Sequence, residues 1–112
     1  MKIIAQPVIL SELWENREVD FTEMMKIVVD VKQEILAIDA EMHADLEQDL
    51  LAEGSQQQDL WGANIYPLKE ADDRLEYTSF INIRPSLGNS SMEVIDPGIR
   101  NKIAAIADHL LI

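Results

Sequence analysis

Asp39, Glu41, His43, Asp45 and Glu47 bring four carboxylates and an imidazole into one short stretch, where ionisable groups of several kinds converge. If a strand runs on through His43, then Asp39, Glu41 and His43 share a side, because strand side chains alternate with period two. Such a trio could share a proton or bind a hard cation. If a helix begins at Met42 instead, His43 and Glu47 stand one turn apart, an acid beside a base.

A catalytic zinc usually takes three protein ligands including two or three histidines. The chain has only His43 and His109 and no cysteine. Asp39, Glu41 and Asp45 with waters would suit magnesium or manganese better, since such ions need few protein ligands. The bland alternative, a solvated helix start whose acids complement the helix dipole, is the stronger reading. No metal and no cofactor is assigned on this basis. His43 is kept as the catalytic candidate, with Glu41 and Asp45 as binding candidates.

Arg84 is the second residue of interest. It ends an apolar stretch beside Pro85 and a Gly88-Asn89 turn, where a guanidinium could clamp a carboxylate or phosphate bidentately. Its bland reading is an ordinary salt bridge to one of 21 acids. Arg84 and Asn89 complete the binding candidates, with a small anionic ligand as the chemistry they would suit. The four glycines are isolated, so there is no phosphate loop or dinucleotide fingerprint. No serine stands in a nucleophile elbow.

These residues need elements to hold them. Ile3 to Ile9, interrupted by Pro7, fit an edge strand or extended lead-in. Ser11 offers an N-cap for a short helix through Leu13, Trp14 and Arg17. Ile27 to Val31 and Glu34 to Asp39 read as a hairpin turning at Lys32-Gln33, with Ile27 facing Ile38 and Val29 facing Leu36. Met42, Leu46, Leu50 and Leu51 recur at helical spacing, and Gly54 stands where a left-handed cap would end a helix over 42–53.

Leu60 to Tyr66 and Leu75 to Arg84 alternate as a second hairpin, joined by a long charged connection. Gly62 within it suggests close packing by a neighbour such as Phe80. Asp96-Pro97 supplies an N-cap and a first-turn proline for a last helix with the stripe Ile99, Ile103, Ile106, Leu110. The expectation is an α+β single domain over 1–112. It comprises an antiparallel sheet of about four strands in two hairpins, two main helices packed on one face, and a short N-terminal helix.

The blocks Glu41-x-His43-Ala44-Asp45, Asp59-Leu60-Trp61-Gly62-x-Asn64-Ile65-Tyr66-Pro67 and Ile81-Asn82-Ile83-Arg84-Pro85-x-x-Gly88-Asn89 come in order, followed by Asp96-Pro97-x-x-Arg100. Together they resemble a family of small prokaryotic proteins grouped as a domain of unknown function. The resemblance implies a compact single-domain protein and carries no activity, cofactor or partner with it.

Composition narrows the function classes. At 112 residues with 47% hydrophobic and 27% charged, the chain suits one globular domain. A formal charge of −12 would repel a phosphate backbone, and no basic cluster overrides it, so nucleic acid is not an expected partner. No segment approaches the roughly 20 apolar residues of a membrane span, and the N-terminus lacks a signal-peptide core. The expected location is the cytoplasm. Two functions stand open. One is a binding or interaction module that self-associates, anchored by aromatics such as Trp14, Trp61 and Tyr66. The other is a small hydrolase or isomerase with His43 as general base and Arg84 holding an anionic substrate, which requires both to open onto one cleft.

Overall fold

The computed structural model describes residues 1–112 as one five-stranded antiparallel sheet flanked by helices on both faces. The elements in chain order are β1 (Lys2–Ile4), α1 (Leu10–Glu15), β2 (Met25–Asp30), β3 (Ile35–Ile38), α2 (His43–Ala52), β4 (Leu60–Ile65), β5 (Leu75–Glu76) and α3 (Pro97–Leu110). The strands lie in the order β1-β3-β2-β4-β5. No helix is long and apolar enough to cross a membrane.

The expected first hairpin forms in the expected register, with Ile27 opposite Ile38 and Val29 opposite Leu36. Its turn takes four residues, Val31 to Glu34, and Glu34 adopts a left-handed φ of 60°. No glycine is needed because Asp30 organises the turn. Its Oδ1 accepts from the Lys32 and Gln33 amides, and its Oδ2 accepts from Gln33 Nε2 and Ser55 Oγ.

β2 is the central strand, and its run of Ile27, Val28 and Val29 is fully buried on both sides. This double burial explains why it shows no polar-apolar alternation. The two helices therefore do not share a face. α3 packs with α1 over Ile27, Val29, Leu36, Ile38, Ala63 and Ile65, whereas α2 covers Val28, Ala37 and Leu60 on the other side. The expectation of both helices on one face failed because the apolar residues of alternate parity along β2, β3 and β4 each require cover.

The two cores differ in kind. The α3 side holds a cluster of 16 buried apolar residues and the α2 side only five, so the α2 face is completed by buried polar groups. Asp30, His43, Glu47 and Asn64 all lie there. The balance between apolar burial and polar satisfaction on that face decides where a site can form.

Helix ends follow local chemistry. α2 closes in a Schellman arrangement: Gly54 has φ 103°, the Ser55 amide donates to Leu50 O and the Gly54 amide to Leu51 O. α3 begins as expected, with Asp96 accepting from the Gly98 amide at 2.7 Å and Pro97 at the first helical position. α1 starts at Leu10 with Ile9 as its cap, so Ser11 lies inside the helix rather than capping it.

The second hairpin is the main departure. β5 pairs with β4 only at Asn64 and Ile65, and the chain then leaves the sheet through a bridge between Thr78 and Glu93. Residues Phe80–Asn82 and Pro85–Leu87 are single 3-10 turns. Neither side of the 77–83 alternation is uniformly apolar. Ser79 and Asn82 are buried there all the same, satisfied by local bonds in place of a strand ladder: Ser79 Oγ accepts from the Ile81 amide, and the Asn82 side chain bonds both backbone groups of Gly62. At Gly62 the close neighbour is Ser79 rather than Phe80, which is 76% exposed.

Candidate functional site

The helix reading of residues 39–47 holds. β3 ends at Ile38, Met42 caps α2, and Asp39 takes a left-handed φ of 79°, so no strand carries Asp39, Glu41 and His43 on one side. The five polar residues separate into different duties. Asp39 accepts from the amides of Glu18 and Val19 at 2.7 and 3.2 Å, tying the loop after α1 to the end of β3. Glu41 and Asp45 are exposed. No group of three or more His, Asp or Glu side chains is placed to hold a metal ion.

His43, at the first position of α2, is 8% exposed. Its Nε2 lies 2.8 Å from the carbonyl of Ala63, and a carbonyl can only accept, so the ring proton sits on Nε2. Burial draws its pKa below the ordinary value, and Lys26 adds to this, while the Ala63 carbonyl and Asn64 work the other way. The ring is a buried tie from α2 to β4. Beside it Asn64 Nδ2 donates to Glu76 Oε1 at 2.8 Å, leaving the buried Asn64 Oδ1 without a partner.

One turn further along α2, Glu47 turns to Arg84 instead. Arg84 Nη2 donates to Glu47 Oε2 at 2.9 Å, and each side chain is only 10% exposed. Arg84 Nη1 donates to Leu60 O, and the guanidinium lies 5.4 Å from the Trp61 ring centroid. Because Glu47 matches its charge and Leu60 O accepts a second hydrogen bond, Arg84 is engaged rather than waiting for an anion.

The segment carrying Arg84 replaces the missing strand with side chains. β5 leaves the edge of β4 open at Gly62, and the amide of Asn82 fills it. Asn82 Oδ1 accepts from Gly62 N at 2.8 Å and Nδ2 donates to Gly62 O at 3.0 Å, with a further bond to Met92 O. Asn89, offered by the sequence as a binding residue, is a loop organiser. It is 4% exposed, its Nδ2 lies within 2.9 Å of the carbonyls of Asn82, Ser91 and Glu93, and its Oδ1 accepts from Ile95 N. Arg84 and Asn89 also bond through their backbones, closing a loop in which Gly88 has φ 75°.

This rigid support presents apolar side chains to solvent. Phe80 is 76%, Ile83 44% and Leu87 45% exposed. They stand with Gln56, Gln57 and Gln58 around an open cleft of about 700 Å³, and the Glu47–Arg84 pair lies in its wall. The cleft falls within the size range of ligand pockets. Of the residues singled out from the sequence, Arg84 lines it and His43 does not. The sequence does not mark Phe80, Ile83, Leu87 or the glutamines as site residues, because a strand reading places the first two in a sheet. The one available signal was the mixed alternation of 77–83 running into the turn-rich 85–91.

No curated protein and no solved structure matches the chain. A family model does match it, over residues 2–110, so the chain belongs to the family described as "Protein of unknown function (DUF5674)".

Proposed function

We propose that this protein is a binding module whose working surface is the cleft between the Gln56–Gln58 turn and residues 80–87. The observation that carries this reading is the exposure of Phe80, Ile83 and Leu87 on a segment held in place by the buried amides of Asn82 and Asn89. Surface apolar residues scattered singly need no explanation, but three of them lining one concavity support an interaction site. Preorganised support lowers the ordering cost of binding.

The hydrolase or isomerase reading lacks its required geometry. His43 does not line the cleft that Arg84 lines, its Nε2 is occupied by the Ala63 carbonyl, and Arg84 is paired with Glu47.

Binding of an apolar fluorescent reporter dye tests the reading. The folded wild-type protein should take up the dye, and Phe80→Asp combined with Leu87→Asp should remove that uptake while leaving the thermal transition in place. Equal uptake by both proteins would count against the cleft as the binding surface.

A further inference from the structure

We infer that residues 79–84 are a built-in guard: they close the outer edge of β4 as a strand would, and so exclude an extended peptide from pairing there. β4 is the strand most in need of one. It is buried along its whole length from Leu60 to Ile65 and pairs with β2 throughout, yet β5 covers only Asn64 and Ile65 on its other side. Ladder groups left open on a sheet edge are a template for a further strand.

The two ends of the sheet are protected by different means. β1, at the opposite edge, is three residues long, exposes Lys2 and is followed by Pro7, which are devices that blunt an edge on their own. The stretch from Leu60 to Ile65 has no lysine, arginine or proline. Its protection comes from another part of the chain.

The β4 groups that point away from β2 alternate along the strand at Leu60, Gly62 and Asn64. Beyond the reach of β5, Gly62 N and O bond to the Asn82 side chain at 2.8 and 3.0 Å, and Leu60 O accepts from Arg84 Nη1. The Leu60 amide turns back to Gln57 O, so no ladder group there is left over. Gly62 thus meets Asn82 and Leu60 meets Arg84, the antiparallel order that a continuation of β5 would have. Side chains stand where its main chain would be.

The guard is held from behind. Asn82 O accepts from Asn89 Nδ2 at 2.8 Å, Ser79 N donates to Met92 O at 3.0 Å, and Arg84 is paired with Glu47. It also lies so close that a Cβ on Gly62 would come within 2.5 Å of Ser79 Cβ. An incoming strand, spaced about 4.8 Å from β4, would need the same place.

A short peptide of alternating valine and lysine tests the guard on the full chain, with NMR amide shifts as the readout. Its positive charge draws it to a protein carrying −12 whether or not the edge is open, so only access to β4 differs between variants. Asn82→Ala combined with Arg84→Met should bind the peptide at least about tenfold more tightly than wild type, because the wild type must first release its own bonds at the edge. The saturable shifts should centre on the amides of Leu60 and Gly62. The same peptide N-methylated throughout its backbone should lose this binding, since it has no N–H to complete a ladder. Where the double variant does not keep its fold, Asn82→Ala alone carries the test at Gly62.

A folded variant whose Gly62 amide stays unmoved would overturn the inference, and so would equal binding by the wild type. Binding of the N-methylated peptide as tight as that of the unmodified one overturns it too, since the contact would then be ionic.

Discussion

The side-chain amide of Asn82 does for Gly62 what a neighbouring strand would do, accepting from its amide at 2.8 Å and donating to its carbonyl at 3.0 Å. This one pairing takes the place of β5 beside Gly62, where the ladder of Asn64 and Ile65 no longer reaches, and frees the chain to build the 80–87 segment beside the cleft. It depends on Gly62 having no side chain, because a Cβ there would lie 2.5 Å from Ser79 Cβ and 2.7 Å from Ser79 Oγ.

Gly62→Ala should therefore destabilise the fold by about 1–3 kcal/mol, as overpacking of a close contact does. Chemical denaturation reads the change directly. Adding Ser79→Gly to the same chain should recover part of the loss despite removing the Ser79 bond to the Ile81 amide. If the double variant is no better than Gly62→Ala alone, the clash does not limit this position.

Asn82→Asp should be worse than Asn82→Ala, although aspartate is the closer match in shape. The carboxylate can still accept from Gly62 N, but it loses both donations and faces the carbonyls of Gly62 and Met92 with a charge. The alanine variant leaves buried groups unsatisfied, at about 1–3 kcal/mol. Urea midpoints of the two variants decide the order, and a more stable Asn82→Asp would contradict the assigned amide orientation.

Arg84→Met should cost about 3 kcal/mol, because it strands the Glu47 carboxylate in a site that is only 10% exposed. Glu47→Leu should cost less, since Arg84 keeps Leu60 O and its contact with Trp61. The double variant should be more stable than the sum of the two losses by at least about 1 kcal/mol, the sign of a coupled pair. Additive losses would show that the pair contributes nothing as a pair.

Acid should unfold the protein in two stages. Burial holds the His43 pKa below its ordinary value, with Lys26 adding to the effect. The unfolded chain then binds a proton more readily than the fold, so this contribution is complete above about pH 6.5 and is lost as pH falls through the folded pKa. For Asp30 burial pushes the pKa up, but bonds from Gln33, Ser55 and Lys32 outweigh it and hold it down. Its contribution is present above about pH 3.9 and is lost as pH falls through the folded value. Urea midpoints followed from pH 8 to 3 should show the first stage vanish in His43→Gln. An NMR titration that places the His43 midpoint above 6.5 would reverse the first sign.

The strongly patterned parts of the fold were legible in the amino-acid order alone. The register of Ile27 with Ile38, the helix closed by Gly54 and the helix opened by Asp96-Pro97 each depend on residues close in sequence, where parity, capping and backbone conformation act directly. The family blocks were legible for the same reason, as local spacing. Tertiary structure alone decided which duty each polar residue received. His43 and Glu47 are neighbours on one helix, yet one meets Ala63 and the other Arg84, because the open edge of β4 brings residue 84 against α2. The exposure of Phe80 was decided there too. Whether an aromatic packs inward or faces water depends on what covers the neighbouring strand, and here that cover is the side chain of Asn82.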